Sequence, residues 1–179
     1  CRKTARNKPI ENGKPSARGF CILCGRLFDA VGAILKICAL NRYEGQAAIE
    51  LEACATLKID GYYSYNIDCQ HGIWIMDPLP IWPELLADIK QDLPVAAIAY
   101  RFHHTVIRMF VDALQQVRDD SGLNRVVLSG GVFHNEIIFT GLLQSLQTDG
   151  FEVYYHQQVP PGDGGISLGQ AIIASEVIT

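Results

Sequence analysis

Two glycine-rich segments, each placed between a short β-branched run and a helical pattern, constrain this sequence more than any other feature. The first glycine loop, Leu128–Asn135, begins within the run Arg125–Ser129, and the second glycine loop, Pro160–Gly165, follows the run Phe151–Tyr155. The repeated order of strand, glycine loop and helix is typical of an α/β crossover with parallel strands. We therefore expect both strands side by side in the interior of a sheet, with both loops at its carboxyl edge.

Hydrophobic periodicity supplies the remaining elements. It predicts helices over about 25–40, 46–57, 83–90, 94–118, 135–149 and 166–176. Two runs rich in aromatic and β-branched residues, Tyr62–Ile67 and Gly72–Met76, predict a β-hairpin joined by the polar stretch Asp68–His71. The hairpin therefore interrupts a chain that is otherwise mostly helical before the first glycine loop.

The composition is that of a folded domain or lobe with a buried core. Apolar and aromatic residues make up 49% of the 179 residues, and charged residues 19%. No apolar run reaches the roughly 18 residues of a transmembrane helix, and no apolar segment follows the basic residues at the start, as it would in a signal peptide. Cys21 and Cys24 have the spacing of half a zinc site, but no second pair follows, so we favour a structural or incidental role. The sequence therefore predicts a reducing, cytoplasmic location and no membrane partner.

Charge is distributed unevenly along the chain. Residues 1–18 contain six basic residues and one acidic residue, whereas the whole chain has a formal net charge of −4. Such a basic run is either a solvated linker or a binding arm, and we expect a linker or tail over residues 1–20. The acidic body argues against nucleic acid as a partner. We also expect the chain, which begins at Cys1, to be a segment of a longer polypeptide.

The residues of the two glycine loops predict a site for a phosphate or a nucleotide. Adjacent Gly130 and Gly131 let the backbone approach a bulky anion, and the helix that follows is expected to present free N–H groups. Asn135 lies where a helix N-cap belongs, and its amide is alternatively placed to contact a ligand. Asp163 is either a helix cap or a metal ligand. Taken singly, each loop is also consistent with an ordinary tight turn.

Other polar and aromatic residues have plainer interpretations. His103 and His104 are adjacent on a helix and cannot chelate one ion together, so we expect packing or surface roles. His134 is either a solvated loop residue or a hydrogen-bond donor to a phosphate, and His71 and His156 are not expected to be functional. Glu50 and Glu52 diverge on their helix. The aromatic hairpin is either a base-stacking platform or, as we favour, a packing element that also offers a docking surface.

Four motifs occur in one order: Gly25–Val31 (GRLFDAV), Tyr43–Ala48 (YEGQAA), Leu128–Asn135 (LSGGVFHN) and Pro161–Ala171 (PGDGGISLGQA). Over about residues 24–176 the chain resembles the C-terminal part of the HypF family of hydrogenase maturation carbamoyltransferases. A related family attaches threonylcarbamoyl to tRNA adenosine, but GRLFDA and YEGQAA favour HypF.

The resemblance implies an α/β fold that forms one lobe of an actin/Hsp70/sugar-kinase-like (RNase H-like) architecture. The lobe would span residues 21–179, with a β-hairpin insertion at about 59–78. The implied nucleotide contacts are Asp29 to the ribose hydroxyls, Gly45 to the sugar and base, Gly130 and Gly131 to the phosphate, and Asn135 to the nucleoside. Asp163 would complete a divalent metal site, with zinc, iron or magnesium, whose histidines lie upstream of this chain.

The resemblance also implies a reaction and a partner. The family forms carbamoyl-adenylate from carbamoyl phosphate and ATP, and transfers the carbamoyl group to the C-terminal cysteine of HypE for the cyanide ligands of nickel–iron hydrogenase. No catalytic residue of this chain is assigned, we expect no turnover by the segment alone, and its open cleft face favours a homodimer. The alternatives are a tRNA threonylcarbamoyladenosine-type transferase lobe and a non-catalytic docking or scaffold lobe.

Overall fold

The structure is a computed structural model that describes residues 24–178, with side chains described for 24–175. The predicted tail over residues 1–20 and Cys21 lie outside the described residues. The helices are α1 Cys24–Ile34, α2 Gln46–Cys54, α3 Ile81–Lys90, α4 Val95–Ser121, α5 Glu136–Thr148 and α6 Ile166–Ile178, and the strands are β1 Asn66–Gln70, β2 Ile73–Asp77, β3 Arg125–Leu128 and β4 Glu152–Tyr155. None of the helices between residues 24 and 178 combines the length and apolar character needed to cross a bilayer.

Helix α4 is the central element of the core. Its apolar residues recur at helical spacing, and Ile98, Phe102 and Val106 are at most 1% exposed. The helix starts after Pro94 and ends at Gly122, which adopts the left-handed conformation typical of a helix C-terminus. The predicted helix over 94–118 is therefore confirmed, and α2, α3, α5 and β2 contact it.

Strands β3 and β4 are parallel neighbours, as predicted, with Val126 opposite Val153 and Leu128 opposite Tyr155. The expectation that they lie in the interior of a sheet is wrong for the part of the chain that the structure describes. There they form a two-stranded sheet in which Val126 and Leu128 face the core, while Val127 is 69% and Tyr154 is 48% exposed. A continuous apolar run does not reveal how many strands cover it, because alternate side chains point to opposite faces.

The hairpin is present, but its first strand lies later in the chain than predicted. Strands β1 and β2 are antiparallel and joined by His71 and Gly72, both with positive φ, as in a tight two-residue turn. The segment 62–65 is not a strand because side chains of the neighbouring helices take its amides. The N–H of Tyr63 donates to Thr105 Oγ1 at 2.9 Å, and that of Ser64 donates to Glu84 Oε2 at 3.1 Å.

The two N-terminal helices end earlier than hydrophobic periodicity predicts. Helix α1 stops at Ile34 rather than near residue 40, because Lys36 has φ 59° and turns the chain back. Leu35 and Cys38 are nevertheless buried, since the turn returns them to the core. Helix α2 stops at Cys54 rather than near residue 57. A turn can keep apolar residues in contact with a core at spacings that imitate a helix.

Two sets of tyrosine, aspartate and arginine attach the hairpin region to α3 and α4. In the inner set, buried Asp88 accepts hydrogen bonds from Tyr63 Oη and from Arg101 Nη1, both at 2.7 Å. Burial and the Asp88 carboxylate raise the pKa of Tyr63 above its ordinary value, so its hydroxyl stays protonated and donates. In the outer set, Tyr65 donates to Asp112 at 2.5 Å, and Arg108 forms an ion pair with Asp112. The packing role predicted for the aromatic hairpin is confirmed.

Candidate functional site

The two glycine loops meet at the carboxyl ends of β3 and β4. The N–H of Gly130 donates to the carbonyl of Pro161 at 2.8 Å. A Cβ added to Gly162 would lie 3.0 Å from His134 Nε2, so the absence of a side chain there permits this close approach. The predicted convergence of the two loops is confirmed, and it follows from the parallel pairing of the strands that precede them.

We expect Gly130→Ala to lower the free energy of unfolding by about 1–3 kcal/mol. Gly130 has φ 114° and ψ 162°, a backbone region that is essentially restricted to glycine. Gly131→Ala is the matched control, because a Cβ meets no atom within 4 Å at either position and, of the two, only Gly130 has a positive φ. Urea denaturation of both variants measures the difference, and an equal loss in the two variants would contradict the backbone argument.

A serine and a histidine lie at the ends of the two parallel strands. Ser129 Oγ and His156 Nε2 are 3.0 Å apart, and both residues are exposed. Sequence reasoning did not select either residue. The available signal was their position, because each is the first residue after its strand and the strands are parallel. The pair places a hydroxyl and an imidazole beside Gly130.

Asn135 is the N-cap of α5, one of the two roles considered for it. Its Oδ1 accepts from the N–H of Ile138 at 2.9 Å, and its Nδ2 lies 3.1 Å from His103 Nε2. His103 is fully buried, and its Nδ1 lies 2.8 Å from the carbonyl of Ala99. These contacts require a neutral imidazole that donates from Nδ1 and accepts at Nε2. Burial lowers the pKa of His103 to about 4, consistent with that form and with the predicted packing role.

The expected free N–H groups at the start of α5 are not free. Glu52 Oε1 of α2 accepts from the N–H of Glu136 at 2.6 Å and lies 3.4 Å from that of Ile137. This expectation was wrong because a carboxylate distant in sequence satisfies the helix end. Glu52 diverges from Glu50, as predicted, since Glu50 instead accepts from Gln46.

Asp29 and the turn at Gly45 are brought together by Asn41. The Nδ2 of Asn41 donates to Asp29 Oδ1 at 2.9 Å, and its Oδ1 accepts from the N–H of Ala47 at 3.1 Å. Gly45 has φ 77° and immediately precedes α2. Among the described residues, Asp29 also pairs with Arg26 at 3.5 Å, and it makes no hydrogen bond or ion pair with either glycine loop.

The link between Asp29 and the glycine loops passes through the core. Phe28, next to Asp29 on α1, packs edge-on against His103 with ring centroids 5.3 Å apart. His103 in turn contacts Asn135, at the end of the first glycine loop. The structure therefore joins the predicted sugar-binding region and the predicted phosphate-binding region through one buried imidazole.

The described residues do not by themselves form a metal site. Asp163 is exposed and lies in a 3₁₀ turn, Asp163–Gly165, that follows Gly162. Over residues 24–175, no three histidine, cysteine or acidic side chains converge as metal ligands do. Burial raises the pKa of the Cys24 thiol to about 12, which disfavours the thiolate that zinc requires. One carboxylate is too few donors for a resident cation.

Comparison with known families identifies the chain. Residues 15–170 match the family model described as the carbamoyltransferase Kae1-like domain, second subdomain, of HypF. The chain belongs to the HypF carbamoyltransferase family. The matched residues include both glycine loops and most of the helices and strands described above. A Kae1-like subdomain agrees with the mixed α/β architecture.

Related HypF proteins cover the same region. The chain is 36% identical to carbamoyltransferase HypF of Rhizobium leguminosarum bv. viciae over 157 residues, which are 86% of this chain and 20% of that protein. It is 32% identical to carbamoyltransferase HypF of Rhodobacter capsulatus over 152 residues, which are 84% of this chain and 19% of that protein. The chain thus spans about a fifth of the length of these relatives.

Two solved HypF structures share the fold. Full-length HypF in a phosphate- and nucleotide-bound form is 39% identical, with a TM-score of 0.80 over 86% of this chain and 20% of that one. HypF of T. kodakarensis is 28% identical, with a TM-score of 0.74 over the same shares. The fold described above is therefore that of the corresponding subdomain of HypF.

Proposed function

We propose that this chain is the nucleotide-binding subdomain of an ATP-dependent HypF carbamoyltransferase. The observation that carries the proposal is the hydrogen bond of 2.8 Å between Gly130 and Pro161, which holds both glycine loops at one sheet edge. Open α/β sheets bind their ligands at that edge. A HypF protein of known structure, 39% identical to this chain, was solved with phosphate and nucleotide bound.

In the proposed site each residue has a distinct role. Asp29 accepts hydrogen bonds from the ribose hydroxyls, for which its carboxylate keeps lone pairs besides those used by Asn41 and Arg26. Gly45 leaves room for the sugar and base. Gly130 and Gly131 admit the phosphate against the backbone. Asn135 uses its Oδ1 to cap α5 and one Nδ2 hydrogen to bond His103. Its second amide hydrogen is therefore left for a nucleoside.

In the proposed reaction water cleaves carbamoyl phosphate to carbamate and phosphate, and the carbamate oxygen then attacks the α-phosphorus of ATP, which forms carbamoyl-adenylate and releases pyrophosphate. The thiolate of the C-terminal cysteine of HypE then attacks the carbamoyl carbon, a C–S bond forms, and AMP leaves with the electron pair of the broken C–O bond. The nucleophile comes from the partner, so no cysteine of this chain is required. Asp163 would supply one carboxylate to a divalent metal ion whose other ligands lie outside the described residues, and that ion would polarise the carbamoyl carbonyl.

Calorimetric titration with ATP tests the nucleotide site. We expect the wild-type chain to bind ATP and Asp29→Ala to weaken binding about tenfold, since a charged group loses its hydrogen bonds to the ribose. Asp68→Ala, an exposed acidic position on the hairpin, is the control and should bind as the wild type does. Equal affinity of the Asp29 variant would contradict the role of Asp29. No ATP binding by the wild type, or retention of tRNA on a filter, would favour the docking or the tRNA-modifying alternative.

A further inference from the structure

The N-terminus of α5 is closed by a carboxylate from a different part of the chain. Glu52 Oε1 accepts a hydrogen bond from the N–H of Glu136 at 2.6 Å and lies 3.4 Å from the N of Ile137. Asn135 Oδ1 accepts from the N–H of Ile138. A helix N-terminus attracts anions through these amides. In this protein the anion is internal, and it comes from α2, the helix that follows the Gly45 turn.

The same contacts determine where the first glycine loop lies. At one end, the N–H of Gly130 is bound to Pro161. At the other end, Asn135 is held by His103, and the first residue of α5 is held by Glu52. Between these anchors the loop makes a 3₁₀ turn, Gly131–His134, whose ends are exposed and whose middle residues Val132 and Phe133 pack partly buried against the core. The position of that turn therefore depends on the contacts at its two ends together with the core packing of Val132 and Phe133.

We propose that Glu52 is a positioning residue for the nucleotide site, which ties α2 and the Gly45 turn to the first glycine loop. The inference rests on the proposed function for its ligand, but not for its geometry. A carboxylate is the group that the positive end of a helix dipole favours, and a charged acceptor strengthens the bond to the N–H of Glu136. The Glu52 side chain thus links the region of the YEGQ motif to the start of α5, which lies 84 residues further along the chain.

The alternative role for Glu52 is that of a competitor, which occupies a site that a phosphate would otherwise take. The two roles predict opposite effects of its removal. If Glu52 positions the loop, Glu52→Ala weakens ATP binding, because one of the contacts that fix the loop is lost. If Glu52 competes with phosphate, the same substitution strengthens ATP binding.

The experiment compares Glu52→Ala and Glu52→Gln with Glu50→Ala. Glu50 lies on the same helix and has the same charge, but it contacts Gln46 instead of α5. Amide hydrogen exchange is measured at Glu136 and Ile137, and ATP affinity by calorimetry. In Glu52→Ala we expect about tenfold faster exchange and about tenfold weaker ATP binding, as for loss of one charged hydrogen bond. Glu52→Gln retains an acceptor oxygen and should recover most of both effects, and Glu50→Ala should change neither.

Four results would overturn the inference. Unchanged exchange in Glu52→Ala means that the contact does not hold the helix end. Faster exchange with unchanged ATP affinity reduces Glu52 to a cap, and stronger affinity makes it a competitor. If the wild type binds no ATP, the proposed function fails, and the NMR line widths of the loop amides from Gly131 to His134 decide the matter: broadening in Glu52→Ala supports positioning, and unchanged lines refute it.

Discussion

We expect Asp88→Asn to lower the free energy of unfolding by about 3 kcal/mol, because it removes one partner of a buried ion pair. Asp88 is 8% exposed and accepts from Tyr63 and Arg101 at 2.7 Å each. Asparagine keeps the shape but not the charge, so Arg101, whose side chain is 25% exposed, loses its counter-ion in a poorly solvated place. Urea denaturation followed by circular dichroism measures the loss.

The outer tyrosine, aspartate and arginine set provides the matched control. Asp112 binds Tyr65 and Arg108 in the same way, but Arg108 is 49% exposed and Asp112 28%. Water screens such a pair, so we expect Asp112→Asn to cost about 1 kcal/mol or less. Similar losses in the two variants would show that burial does not distinguish the sets, and the explanation given for Asp88 would be wrong.

The parts of the fold that follow from local pattern were accessible from the sequence. Helix α4 has a long periodic run between Pro94 and Gly122, and β3 and β4 are apolar runs before glycines, so their existence and parallel pairing were confirmed. The ends of α1 and the first strand of the hairpin were wrong. Helix α1 ends at a local turn in which Lys36 has φ 59°, whereas the hairpin strand starts late because the amide of Tyr63 is taken by Thr105, which is 42 residues away.

The features of the candidate site also separate into those that local sequence predicts and those that depend on distant contacts. Convergence of the glycine loops follows from parallel strands, and capping by Asn135 follows from its position before α5. The contacts of Glu52 and His103 could not be read from local sequence, because their partners lie 84 and 32 residues away. A carboxylate on a partly exposed helix and a histidine in an apolar stripe give no local signal of such partners. The ligand roles of Asp29, Gly45 and Asp163 stay predictions.

The second large effect is a loss of stability in acid caused by His103. Burial lowers its pKa from 6.5 to about 4. Above pH 6.5 the imidazole is neutral in both states and contributes no pH dependence. Between pH 6.5 and 4 the unfolded chain binds a proton that the folded chain does not, so the free energy of unfolding falls as the pH falls. The full loss is about 3 kcal/mol, and below pH 4 it is complete.

His103→Gln isolates this contribution from the carboxylates that titrate in the same range. Glutamine does not ionise, and its side-chain amide offers a donor toward Ala99 and an acceptor toward Asn135. The free energy of unfolding of the wild type should therefore decrease by about 3 kcal/mol more than that of the variant between pH 7 and 4. His104→Gln, the neighbouring substitution, leaves His103 in place and should keep the wild-type profile. An NMR titration of the His103 ring in the wild type, with a midpoint near 6.5, would refute the argument even if His103→Gln did not fold.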